Sequence, residues 1–222
     1  MGSGGFPVDL ILFGMIAAFL VLRLRSILGR RTGFERPPQA YQPRRDGAPP
    51  GPVIEGRAEP APASPARPVP DRASPAGEAM ARMAAVDRSF DPARFLDGAE
   101  QAFRMIVTAF AAGDRVTLRN LLSDDTYRAF EQAIAAREAA GETQHTEIRS
   151  IEQATIESAA LLDRIATITV RFVSDQVSET KAADGRVVSG TDAVTEIVDL
   201  WTFERDLSSR DPTWRLIAAR SA

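Results

Sequence analysis

In 222 residues the chain has no cysteine, a single histidine (His145) and a single lysine (Lys181). Without cysteine there is no disulfide framework, no thiolate metal site and no thiol nucleophile, which is compatible with a reducing compartment. With one histidine, paired-imidazole metal spacings and hydroxyl–imidazole couples have nothing to be built from. His145 stands in a polar run where a strand begins and reads as a surface or strand-end residue. The sequence also lacks a phosphate-binding glycine loop and a nucleophile elbow. Asp124-Asp125 follows Ser123 and reads as acid in the first turn of a helix, where it favours the helix dipole. Enzyme chemistry and a cofactor are therefore not expected.

Long apolar runs are nearly absent as well, and the exception is at the start. Between Asp9 and Arg23 thirteen residues (LILFGMIAAFLVL) carry no charge, and Arg23, Arg25, Arg30 and Arg31 follow. Counted from Phe6 to Leu24, a helix here is about 28 Å long, close to a hydrocarbon core of about 30 Å if Asp9 and Arg23 sit at the interfaces. A cleaved signal peptide would place its positive charge before the apolar run rather than after it. An interfacial helix would need a basic face, which this run lacks. The expectation is a bilayer span over residues 6–24 within an anchor of residues 1–32. The arginine flank orients it N-terminus out, with the bulk of the chain on the cytoplasmic side of a bacterial inner membrane.

Residues 33–77 form a proline- and alanine-rich linker. Twelve of the fifteen prolines lie between Pro37 and Pro75, among almost no large apolar residues, so this stretch has too little surface to bury against the entropy of ordering. It would reach about 130 Å as polyproline and roughly 40 Å as a coil. A PxxP match within residues 60–70 is of the kind any such run produces by chance.

From residue 78 onward the pattern is that of one folded domain. A weakly amphipathic segment (EAMARMAAVDRS) comes first. In FDPARFLDGAEQAFRMIVTAFAAGD, Asp91 is placed as N-cap, Pro92 at the first helical position and Gly113 at the stop. Phe95, Ala99, Ala102, Phe103, Ile106, Val107 and Phe110 recur there at helical spacing and form one apolar face. Asp114 caps a short helix carrying Val116, Leu118, Leu121 and Leu122. Ser123 caps another with Tyr127, Phe130 and Ile134 as its stripe and Gly141 as its end. The period then changes to two, giving strands over residues 143–158 and 163–174, with Ile168, Val170 and Phe172 on one side. A polar stretch over 175–192 holds an Asp184-Gly185 hairpin signal. Strands over 193–205, with Ile197, Trp201 and Phe203 on one side, and 214–219 complete the pattern. Helices followed by an antiparallel meander predict an α+β domain with helices packed on one face of a bent sheet.

Phe103, Phe110, Phe130, Phe172, Trp201, Phe203 and Trp214 are placed either to fill the core between helix and sheet or to line a cavity there; the core reading is the simpler. Asp199, on the same side of its strand as Trp201, is the best-placed pocket carboxylate. Residues 78–222 carry a net charge of −7, which repels nucleic acid and an anionic leaflet alike.

The run FDPARFLDGAEQAFRMIVTAFAAGD, the following RVTLRNLLSDDTYRAFEQAI and the closing VTEIVDLWTFERDLSSRDPTWRLIA together resemble the translocase-of-inner-membrane subunit 44 family, over about residues 78–222. The resemblance implies a nuclear-transport-factor-2-like cone, no catalytic residues and a membrane-associated adaptor. This chain has a span and tether where the mitochondrial members have a long basic N-terminal half. The expected function is a non-enzymatic adaptor that binds protein partners at the cytoplasmic face of the membrane, in protein handling, translocation or envelope assembly. The alternative is a cone that takes a small apolar ligand, with Asp199 and the aromatic lining at its centre.

Overall fold

The structure, a computed structural model, describes residues 67–222. The expected span at 6–24, its arginine flank and the linker up to residue 66 lie outside the described residues. No described helix is long and apolar enough to cross a membrane.

Among the described residues four helices come first, each bounded by local chemistry. Helix α1 (Pro75–Val86) is capped by Ser74, whose Oγ accepts from the Gly77 amide at 3.0 Å. It starts three residues before the Glu78 that the sequence pattern indicates, because Pro75 sits at the first helical turn, where its missing N–H costs nothing. Helix α2 (Pro92–Ala112) has Asp91 as N-cap and ends at Gly113, whose φ of 72° lies in the left-handed region that glycine enters without strain. Asp114 then caps α3 (Arg115–Leu121) by accepting from the amides of Val116 and Thr117, and Ser123 caps α4 (Asp124–Ala139). One assignment in the apolar stripe of α3 is corrected: Val116 is 74% exposed, and only Leu118 of that helix is fully buried. Seven residues make barely two turns, so one narrow face meets the core.

The sheet is an antiparallel meander of β1 (Thr143–Leu162), β2 (Ile165–Lys181), β3 (Val187–Asp206) and β4 (Arg215–Ser221), in that spatial order. Its register puts Ile156, Val170, Trp201 and Ala219 in one cross-strand row. β1 continues through Ala159–Leu162, past the Ser158 where the sequence pattern ends it. The turn to β2 is the two-residue Asp163-Arg164, with Asp163 at φ 53°. Alanine and leucine are indifferent strand formers, and the ladder to β2 overrides that preference. The polar stretch 175–192 is also mostly strand, with the turn confined to residues 182–186 around Asp184-Gly185. Register shifts interrupt all three strand pairs, three of them in β1 against β2. Each adds a local bend and twist, which is how a sheet becomes concave.

Helices α1 and α2 pack on the β1 side of the sheet, and α2 supplies most of the helical half of the core. Phe103 of α2 and Phe172, Phe203 and Ile168 of the sheet are at most 1% exposed. Each buried ring of this kind contributes about 2–3 kcal/mol by removal from water. At the other edge, the Ser123 amide donates to the Leu216 carbonyl at 3.0 Å and Thr126 Oγ1 donates to the Ile217 carbonyl at 2.9 Å. Those two bonds latch the start of α4 to β4. The result is an α+β cone of helices on a bent antiparallel sheet.

Candidate functional site

Of the eight residues singled out from the sequence, seven fall into two groups. Phe103 stacks on Phe172 with ring centroids 4.5 Å apart and meets Trp201 at 4.6 Å; Trp201 in turn lies 6.3 Å from Phe203. These four rings are packed on one another at the centre of the core. Asp199 is on the same face, directly across from Phe172 in the ladder, only 3% exposed, and accepts from Ser221 Oγ at 3.4 Å. Phe110 and Phe130 form a separate edge-on pair, 5.1 Å apart and half-buried, at the far end of α2.

Arg137 organises that end. Its Nη2 donates to the carbonyls of Phe110 at 2.8 Å and Ala111 at 3.1 Å, and its guanidinium lies 5.3 Å over the Phe110 ring. Nη1 donates to Gln144 Oε1 at the start of β1. A cation at the carbonyl end of a 21-residue helix is favoured by the helix dipole and fills acceptors the helix leaves open. Burial lowers the Arg137 pKa from its ordinary value, yet the guanidinium remains charged throughout the physiological range.

The concave face also holds two buried polar residues that the sequence reading passed over, Ser174 and Gln176, with Gln176 Nε2 donating to Ser174 Oγ at 2.9 Å. They continue the every-second-residue series of Ile168, Val170 and Phe172 along β2, so extending that alternation finds them. Asp124 and Asp125 pair with Arg119 and Arg128, and among the described residues no group of three potential metal ligands occurs.

Among the described residues, surface grooves accompany this interior, one of them against α2 and another against β1. The first, about 330 Å³, lies between the first turns of α2 and the segment leading into β4. Phe95, Phe203 and Trp214 line it, and Gly98 and Ala99 keep its helical wall low. Trp214 packs on Phe95 at 4.8 Å and on Phe90 at 6.0 Å, while Asp91 and Arg94 supply the charges around the opening. Half-buried tryptophan beside arginine, with a preformed apolar floor, is the side-chain chemistry that dominates binding energy at protein interfaces. Phe203 and Trp214 are the members of the sequence-selected set that reach this groove. Phe95 read as a core residue of its helix, and its partnership with Trp214, 119 positions on, has no local signal.

Beside this groove, Asp87 and Arg205 form an ion pair at 3.0 Å with side chains only 15% and 13% exposed. Hydrogen bonds from the Ser89 hydroxyl and amide, with help from Arg205, hold the Asp87 carboxyl below the usual carboxylate range. The pair ties the loop between α1 and α2 to β3, and so fixes Ser89 and Phe90 at the groove. The second groove, about 500 Å³, lies between the extended residues leading into α1 and the outer edge of β1.

The fold is thus an α+β cone with a packed aromatic interior and an aromatic groove on its outside. The chain belongs to the Tim44-like domain family, whose pattern matches residues 76–221. No curated protein matches the chain. Among solved structures, it is similar to the intermembrane-space region of the chloroplast protein ARC6, at 8% identity over 57% of this chain and 95% of that one, with a TM-score of 0.42. It is also similar to an NTF2-like protein from Cytophaga hutchinsonii (16% identity, 57% and 95% of the two chains, TM-score 0.35). A dehydratase-like member of the NTF2-like family from Streptomyces avermitilis gives 13% identity, 55% and 92% coverage and a TM-score of 0.33.

Proposed function

We propose that this protein is a membrane-anchored, non-enzymatic adaptor, held by residues 6–24 with its domain on the cytoplasmic side, that binds a protein partner in membrane protein handling, translocation or envelope assembly. The observation that carries this reading is the Tim44-like domain match over residues 76–221. Its proposed contact surface is the groove around Phe95 and Trp214, where an apolar side chain of the partner enters between Asp91 and Arg94. The ligand-binding alternative has less support, because Phe103, Phe172 and Trp201 pack on one another, stacked, tilted and edge-on, and so fill the space a guest would need.

The test uses the full chain in its own membrane. A photo-cross-linking amino acid in place of Thr213, at the groove wall, is expected to give discrete protein adducts that weaken with Arg94→Glu. An activity reporter fused after Ala222 is expected to work on the cytoplasmic side. Adducts indifferent to Arg94→Glu, or none from a folded and membrane-bound chain, refute the contact surface and the adaptor reading respectively. A reporter active only outside refutes the orientation.

A further inference from the structure

The last residues before α1 are part of the fold, and they frame a second binding groove. Arg67 is clamped onto α2: its Nε donates to Asp97 Oδ1 at 2.8 Å and its Nη groups fork onto both carboxylate oxygens of Glu100. At the other end of this strap, the Asp71 carbonyl accepts from the Ser74 amide at 3.0 Å and its carboxylate accepts from the Ala73 amide at 2.7 Å. The Asp71 carbonyl rests so close over Gly77 that a Cβ there would overlap it. Fixed at both ends, Pro68-Val69-Pro70 forms one wall of the 500 Å³ groove, and residues 155–159 of β1 form the other.

That second wall is a sheet edge. β1 is the outermost strand, and among the described residues it pairs only with β2, so its outward backbone groups at 155–159 face the groove. No backbone hydrogen bond joins them to the strap, and two of the three strap residues opposite are prolines, which have no N–H to give. The strap stands off the edge across a groove of about 500 Å³. Val69, 42% exposed, gives the groove apolar surface, and Ile156, only 8% exposed, adds a smaller part. Its charged lining residues, Asp71 and Glu157, are both acidic. Glu157 is the extra residue of a bulge, unpaired in the β1–β2 register and exposed.

We propose that this groove binds an extended segment of the partner protein as an added strand on β1. About five residues of it match the length of 155–159, with an apolar side chain against Val69 and Ile156 and a lysine or arginine between Asp71 and Glu157. The proposal rests on the adaptor reading and gives that partner a chemistry: apolar, extended and basic.

The probe is a fluorescein-labelled nonapeptide of alternating threonine and valine with a central arginine, titrated by anisotropy into the full chain in detergent micelles. Binding is expected, with slowed amide hydrogen exchange at 155–159. It should weaken by at least about ten-fold in Glu157→Arg and Val69→Asp, and for a peptide with glutamate in place of the arginine. Melting curves of the two variants, both altered at exposed positions, check that the fold is retained. Unchanged exchange at 155–159 with saturating peptide, or equal binding of the arginine and glutamate peptides, overturns the proposal. So does an edge already protected in the full chain that opens when residues 49–62 are deleted, since the tether itself is then the occupant. Cross-linking from position 213 separates the two readings: adducts that persist while the peptide fails leave the adaptor standing and remove the groove.

Discussion

Gly77 shows how one residue can serve a contact against its own preference. At the third position of α1, alanine would favour the helix by about 1 kcal/mol. The Asp71 carbonyl occupies the space a methyl needs, and it is held there by the Ser74 amide, so it has little freedom to withdraw. Overpacking of this kind costs about 1–3 kcal/mol and outweighs the propensity gain. Gly77→Ala is therefore expected to lower the melting temperature and to make residues 67–74 more susceptible to proteolysis. A rise in melting temperature would show that the strap yields freely. None of this is visible in the string PAGEAM, where the glycine looks like a defect in a weak helix.

Among the elements, the helix pair α2–α4 is braced by Arg137 as well as by its apolar stripe. Two carbonyls at the end of α2, a glutamine on β1 and the Phe110 ring all converge on one guanidinium. Arg137→Met keeps the length and removes the donors, leaving part-buried acceptors unfilled at about 1–3 kcal/mol for a charged hydrogen bond. Arg137→Lys is expected to recover only part of this, because an ammonium cannot reach two carbonyls and the glutamine as a fork does. Urea denaturation midpoints of the three proteins order them Arg, Lys, Met; equal midpoints for Lys and Met would reduce the brace to charge-free packing. The element boundaries themselves were largely legible. Asp91, Asp114 and Ser123 announce three helix starts, and Gly113 a stop, because capping is satisfied within three or four residues. The strand ends at Leu162 and Lys181 were not legible, because a ladder is stabilised by a partner strand whose register no short window contains.

For the whole molecule, the surface carboxylates set a pH dependence. The carboxyls of Asp87, Asp114, Glu138, Asp206 and Asp211 are held below their ordinary values. The leading cause is in turn a hydrogen bond from Ser89, Thr117, Arg115, Ser208 and Thr213. Groups depressed in the folded state contribute stability that is present above the unfolded value of about 4 and is lost as pH falls through the lower, folded values. The melting temperature, followed by circular dichroism, is expected to be level near neutrality and to drop below about pH 4. A melting temperature that rises on acidification would mean that relief of the domain's negative charge outweighs these bonds.

The sequence by itself determined the kinds of element and their order, since amphipathic period, capping residues and β-branched alternation act within a few residues of one another. It also determined the −7 charge and the absence of thiol and paired-imidazole chemistry, which need no fold. Only the tertiary structure decided which buried aromatic residues sit at the centre of the core and which at its rim. Phe103 and Phe95 share one helix face, yet Phe103 meets Phe172 and Trp201 in the interior while Phe95 meets Trp214 at a groove. The difference lies in how far along the bent sheet each turn of α2 falls. Curvature comes from bulges shared between strands, and contacts between residues far apart in the chain cannot be read from either segment alone.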